Sequence, residues 1–403
     1  MSTMNTQDII DRGSGHTIPL YARAPLILCS GSGVTVNDVE GKTYLDFVAG
    51  IAVNALGYGD AELSESLKKT IDDGLLHCSN LYWNPHAVEA ASLLAGLSGM
   101  DEAFFCNSGA EANEAAIKLA HKWGRITKGE ACTDIIAMDH SFHGRTCGAL
   151  SATGQKKYRV AFEPLVPGFS YAMYNDLASV EALITPRTCA IMVEGIQGEG
   201  GIIEATDDFL MGLSSLARKH GLLLIMDEVQ CGMGRTGDAF SWQKSGVKPD
   251  VMTLAKGLGG GVPVGAMVVG GKACGVLTTG DHGSTFGGNL LAMTAACVVL
   301  RRFSNPDFLS HVREIGSYLG SSLVALVEDF PSIALAVRGR GLIRGLQVAL
   351  PPGNVVTACR ERGVLIASAG TDVLRFVPPL VVSCGDCDVV VDALREIFGG
   401  VIL

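Results

Sequence analysis

Leu222-Leu223-Leu224-Ile225-Met226-Asp227-Glu228-Val229-Gln230, read together with Lys256, is the stretch on which the reading of this chain turns. Five apolar residues in a row suit a buried parallel strand and are too few for a helix. Gly221 marks where the run begins, and it stops on an acid. In a parallel sheet the carboxyl ends of the strands face the ligand crevice, so Asp227 is expected to point into a site. Lys256 follows 29 positions later. That interval holds a loop, a second short strand at 251–254 and one more turn. An acid and a lysine at the ends of neighbouring strands therefore face one crevice.

Bulk composition frames this expectation. A chain of 403 residues has room for two domains, with about 75% of its unfolded surface buried. Its 48% hydrophobic and 18% charged residues describe a well-buried α/β protein. The net charge of −10 argues against nucleic acid or an anionic membrane as partner, because no basic stripe would anchor either. The longest largely apolar run, 290–300, has 11 residues, and crossing a bilayer takes about 20. Asp8 and Asp11 sit near the start with no apolar core between charged flanks, so no signal peptide is expected and the cytoplasm is the default. The 12 cysteines are scattered in apolar surroundings rather than spaced as a disulfide framework. Cys384-Gly385-Asp386-Cys387 has no second close pair to complete a zinc site and reads as a turn before the last helix; no metal is expected.

Along the chain, residues 1–20 read as an arm, and 33–47 as a small hairpin or meander. Gly41-Lys42-Thr43 and Gly271-Lys272 both lack the upstream glycine of a phosphate-binding P-loop, having Val36 and Ala266 there. From about 60 the pattern alternates strand and helix, with strands at 103–106, 135–138, 190–193, 222–226, 251–254 and 265–269. Asp207 and Asp208 are placed to cap a helix between two of them. Such alternation implies a mostly parallel sheet with helices on both faces. After Asn289 come helices at 290–303 and 308–328, short strands, and a last helix at 386–398, an α+β pattern. The expected division is an N-terminal segment (1–60) packing with a C-terminal small domain (289–403), and a large domain (61–288) between them.

Several strand ends carry chemistry that suits one ligand. Ser108-Gly109-Ala110 lies where a strand hands over to a helix, and free N–H groups at a helix start bind phosphate. Phe142-His143-Gly144-Arg145 offers a ring to stack on a flat ligand and a guanidinium to grip a carboxylate. Glu194 and Glu199 flank a glycine-rich loop after another strand. With Asp227 and Lys256 these are the parts pyridoxal phosphate needs: a lysine for a Schiff base and an acid to keep the pyridine nitrogen protonated.

Residues 107–114, 142–146, 193–201, 227–230, 253–256 and 284–289 together resemble the class III pyridoxal-phosphate aminotransferases, most closely the acetylornithine aminotransferase branch. The resemblance runs from about 21 to 398. It implies an α/β protein of fold type I, working as a homodimer whose active sites are shared between subunits. Lys256 resembles the Schiff-base lysine and Asp227 the partner of the pyridine nitrogen. Phe142 is similar to the ring-stacking aromatic. Ser108, Gly109 and Ala110 match the phosphate cradle, and Val229 and Gln230 lie beside the ring. Thr285 resembles a threonine that reaches the phosphate from the other subunit, with Ser284 beside it as a substrate contact. Tyr21 falls in the segment that shapes the substrate pocket. Arg145 looks like the α-carboxylate clamp, and Arg375 like a second arginine that pairs with Glu199 or takes the distal carboxylate of 2-oxoglutarate. The chain departs from the family pattern at Leu290, where proline is common, so the next helix is expected to start differently. The implied activity moves an amino group from N-acetylornithine to 2-oxoglutarate, as in arginine biosynthesis. Ornithine, succinylornithine and 4-aminobutyrate remain as alternative donors; a non-catalytic pyridoxal-phosphate-binding protein is the alternative of another class.

Overall fold

The computed structural model describes residues 6–400. Its largest sheet has seven strands: β1 (Glu102–Cys106), β2 (Asp134–Met138), β3 (Phe169–Ala172), β4 (Thr188–Glu194), β5 (Leu223–Asp227), β6 (Val251–Leu254) and β7 (Gly265–Val269). Their order across the sheet is β1-β7-β6-β5-β4-β2-β3. All run the same way except β7, which pairs antiparallel with both β6 and β1. Alternate side chains along the strands enter two separate cores. Ile136, Ile191, Leu224, Met226 and Met252 pack under α2 (Asp207–His220) and α3 (Leu290–Phe303). Ile135, Met192, Leu223 and Ile225 meet Ala116, Leu119 and Trp123 of α1 (Gly109–Lys128) on the other face. Two-sided burial explains why 222–226 is apolar without a break.

Of the stretch read as an arm (1–20), residues 1–5 lie outside the described residues, and Thr6–His16 is a helix none of whose residues is buried. A meander follows, Leu28–Ser32, Thr35–Asp38 and Thr43–Asp46. Its second turn is tied by Asp38 Oδ1, which accepts from the amides of Glu40 and Lys42. The third meander strand pairs in parallel with Val364–Leu365, far along the chain. The C-terminal part forms an antiparallel sheet in the order Ala334–Arg340, Ile343–Val348, Val373–Phe376, Ala367–Ala369, covered by Pro306–Asp329, Pro352–Glu361 and Cys384–Gly399.

Several local expectations need correction. Cys384 and Cys387 lie within the first turn of the last helix rather than in a turn before it, because Ser383 caps that helix through a reciprocal pair of bonds with Asp386. Thr206, not Asp207 or Asp208, caps α2. With leucine at 290 the third helix simply begins there, capped by Asn289 Oδ1 on the amide of Ala292. Strand β3 and the helix Pro352–Glu361 went unanticipated. β3 is an edge strand, mostly half-buried, so it lacks the apolar run of its inner neighbours. Among the described residues no helix is long and apolar enough to cross a membrane, and no cluster of His, Cys, Asp or Glu is placed to hold a metal.

Close approach of α1 to the sheet depends on Gly124. A Cβ there would lie 2.2 Å from the carbonyl oxygen of Cys132 and 2.6 Å from Cys189 Cβ. Gly124→Ala is expected to destabilise the fold by about 1–3 kcal/mol, the usual cost of overpacking. Denaturant unfolding checks this, and an unchanged midpoint would show that the helix can shift freely.

Candidate active site

Because β1, β2, β4, β5 and β6 run in one direction, their carboxyl ends open on one edge of the sheet. A cavity of about 430 Å³ lies there. Ser108, Gly109, Ala110, Phe142, Arg145, Asp227, Val229, Gln230 and Lys256 all border it, from four separate stretches of chain.

Asp227 ends β5 and is almost fully buried. Its Oδ2 accepts from Asn113 Nδ2 at 2.8 Å and from His143 Nδ1 at 2.7 Å, while Oδ1 accepts from the Val229 amide at 2.9 Å. Asn113 is itself fixed, since its Oδ1 accepts from Thr253 and its Nδ2 also reaches the His143 carbonyl. Burial disfavours a charged His143, but the hydrogen bond and charge of Asp227, helped by Glu194, outweigh it and raise the imidazole pKa. Glu194, at the end of β4, goes up to about 7: burial raises it most and the Asp227 charge adds, against the opposing effect of His143. Its Oε1 accepts from the Phe142 amide, which fixes the loop that carries that ring.

Lys256 follows β6 at the start of a tight turn, with φ of +45°. A non-glycine residue held in the left-handed region marks a conformation imposed by its surroundings. Burial lowers its pKa to about 8; Glu199 opposes this and Arg375 reinforces it. Across the cavity α1 begins. Ser108 Oγ caps it by accepting from the Glu111 amide, while the first N–H groups have no acceptor within the helix. Glycine is required at 109, because a Cβ would stand 2.8 Å from Val229 Cγ1.

Behind Gln230 lies a second cluster. Arg375 Nη1 donates to Glu199 and to Gln230 Oε1, and Gln230 Nε2 donates to Glu199. Burial alone would raise the Glu199 pKa, but the charge and hydrogen bond of Arg375 bring it below its usual value. Arg145, by contrast, is exposed at the mouth. Besides Glu199 and Arg375, three expected site residues do not border the cavity. Tyr21 is 71% exposed in the N-terminal segment. Ser284 accepts from Asn107 Nδ2 and lines a separate surface hollow, and Thr285 is exposed next to it.

In the sequence Asn113 and Thr253 carried no role, His143 entered only as part of the 142–145 stretch, and Glu194 only as an acid flanking a glycine-rich loop. A polar residue on the buried face of α1, four positions after Gly109, is the signal that could have found Asn113. Glu228, the neighbour of Asp227, faces the other way: it accepts from Ser241 Oγ and from the amides of Ser241 and Trp242.

Residues 20–398 match the family model Aminotransferase class-III. The acetylornithine aminotransferase of Aquifex aeolicus is 47% identical, covering 94% of this chain and 98% of that protein. That of Gloeobacter violaceus is 44% identical over 95% and 96%. Among solved structures, the ornithine aminotransferase of Toxoplasma gondii with partial occupancy of pyridoxal phosphate at its active site matches with a TM-score of 0.94 and 31% identity, covering 99% of this chain and 95% of that one. With nearly the whole chain matched, this protein belongs to the class III aminotransferases.

Proposed function

We propose that this chain is an acetylornithine aminotransferase that uses pyridoxal phosphate and passes the δ-amino group of N-acetylornithine to 2-oxoglutarate, giving N-acetylglutamate 5-semialdehyde and glutamate. Several relatives named for that reaction are 43–47% identical over nearly the full length. The observation that carries the reading is the meeting, at one cavity, of a buried, fully hydrogen-bonded Asp227 and Lys256.

The residues present fit the cofactor. Free amides at the start of α1 and the missing side chain at Gly109 make a cradle for a phosphate. When bound, pyridoxal phosphate supplies a cationic aromatic ring that draws electrons from the reacting carbon. Asp227 would hold the proton on the pyridine nitrogen, and His143 and Asn113 aim that carboxylate. Phe142 and Val229 border the space for the ring. Lys256 anchors the cofactor and, once displaced by substrate, moves the proton at the reacting carbon. A lysine at its ordinary 10.5 would be protonated near neutral pH; at about 8 a useful fraction is free base.

The two arginines divide the substrates. Arg375 is buried and its charge acts on Lys256, whereas Arg145 is exposed at the mouth. A carboxylate next to the reacting carbon therefore falls to Arg375, and one at the far end to Arg145. For 2-oxoglutarate this reverses the expectation that Arg375 takes the distal carboxylate. N-acetylornithine reacts at the end remote from its carboxylate, so Arg145 still takes its α-carboxylate and Glu199 stays on Arg375. A homodimer belongs to the same reading: Leu81, Tyr82, Trp83 and Phe286 stand exposed around or beside the hollow that Ser284 lines, a patch suited to a second copy that Thr285 then reaches. The cytoplasm is the compartment this reading assigns.

Lys256→Ala is expected to abolish turnover, and unimpaired turnover would refute its assignment. In cofactor-free protein, arylation of Lys256 by a dinitrophenyl reagent requires the neutral amine. Its rate should rise with pH about a midpoint near 8; a midpoint near 10.5 would contradict the lowered value. Glu199→Gln removes the charge that neutralises Arg375. The ratio of kcat/KM for glutamate to that for N-acetylornithine should then rise roughly 10- to 150-fold, as expected for a charged hydrogen bond of about 1.5–3 kcal/mol. An unchanged ratio would count against the division.

A further inference from the structure

The two arginines are held in opposite ways. Arg375 is engaged by an acid and an amide, so an incoming carboxylate must displace a partner. Among the described residues Arg145 enters no ion pair. Its guanidinium carbon instead lies 4.1 Å from the centroid of the Tyr158 ring and 5.6 Å from that of Phe142. The two rings meet edge to face, 5.8 Å apart at 81°. Tyr158 sits on the one-turn helix Lys156–Arg159. That turn is tied to the Phe142 loop by the buried Gln155, whose Nε2 donates to the carbonyls of His140 and Ser141. Its far side is held where Arg159 lies over Tyr171, 3.9 Å from the centroid.

We propose that Tyr158 is a positioning residue for substrate: its ring face seats Arg145 so that the guanidinium meets the far carboxylate of either substrate with its donors free. An acid in this place would compete with the substrate for the same N–H groups. An aromatic face attracts the cation through its quadrupole and leaves the in-plane donors available for a two-pronged bond. The phenol oxygen has no hydrogen bond among the described residues, so the ring and not the hydroxyl does the seating. Tyr158 thereby links Phe142, which borders the space for the cofactor ring, to the group that fixes the other end of the substrate. The proposal rests on the reading of Arg145 given above.

The test compares Tyr158→Leu, Tyr158→Phe and Arg145→Leu in the holoenzyme. Tyr158→Leu should raise KM for N-acetylornithine and for 2-oxoglutarate roughly 3- to 30-fold, the span of a cation–π contact, with kcat little changed. The calorimetric Kd for glutarate, a dicarboxylate that cannot react, should rise in parallel. Tyr158→Phe should restore both, and the half-reaction with n-pentylamine, which has no carboxylate, should not respond to Tyr158→Leu. Unchanged KM and Kd in Tyr158→Leu, an equal loss in Tyr158→Phe, or an equal loss with n-pentylamine would each overturn the proposal. If Arg145→Leu raises KM while Tyr158→Leu does not, only the positioning role falls. If Arg145→Leu is silent, the reading of Arg145 falls and the proposal with it.

Discussion

A carboxylate buried away from water, whose every lone pair must find a donor, is the constraint on which this site depends. Asp227 is 3% exposed, and burying an anion is costly unless it is fully hydrogen-bonded and balanced. His143, Asn113 and the Val229 amide meet that requirement from three stretches of chain, and Thr253 fixes Asn113 in turn. Asn113, Thr253 and Val229 sit where they do because β5 and β6 are neighbours in the sheet and α1 lies across them, while His143 comes from the loop after β2. The fold serves the chemistry by holding one carboxyl group at a fixed point on the cavity that Lys256 also borders.

Substrate choice, in the proposed reading, uses a different physical device at each end. Near the reacting centre, Arg375 is balanced by Glu199 and can be released when a carboxylate arrives. At the mouth, aromatic faces hold Arg145 without consuming its donors. One end discriminates between substrates that do and do not carry a charge beside the reacting carbon. The other grips what both substrates share. This lets one cavity serve an amide-bearing amine and a dicarboxylate in turn.

How much of this was legible follows from how local each signal is. The unbroken apolar run before Asp227 announced a strand buried on both faces, and the interval to Lys256 placed a neighbour beside it. Those features are written in consecutive residues. The partners of Asp227 are not: His143 lies 84 positions away and Asn113 114, so their convergence is a property of strand order, invisible to spacing. Edge strand β3 escaped because one side faces away from the core. The Cys384–Cys387 pair was misplaced by a turn because the helix cap at Ser383 outranks the composition of the residues that follow. Tyr158 carried no signal at all until its ring stood over Arg145.

The most direct test of the central claim is the protonation state of the pyridine nitrogen. Wild-type protein reconstituted with cofactor labelled with ¹⁵N in the ring should show, by nitrogen NMR at neutral pH, a protonated pyridine nitrogen, and that signal should move to the unprotonated position in Asp227→Ala. An unprotonated nitrogen in the wild type, or a protonated one that survives loss of Asp227, would contradict the account.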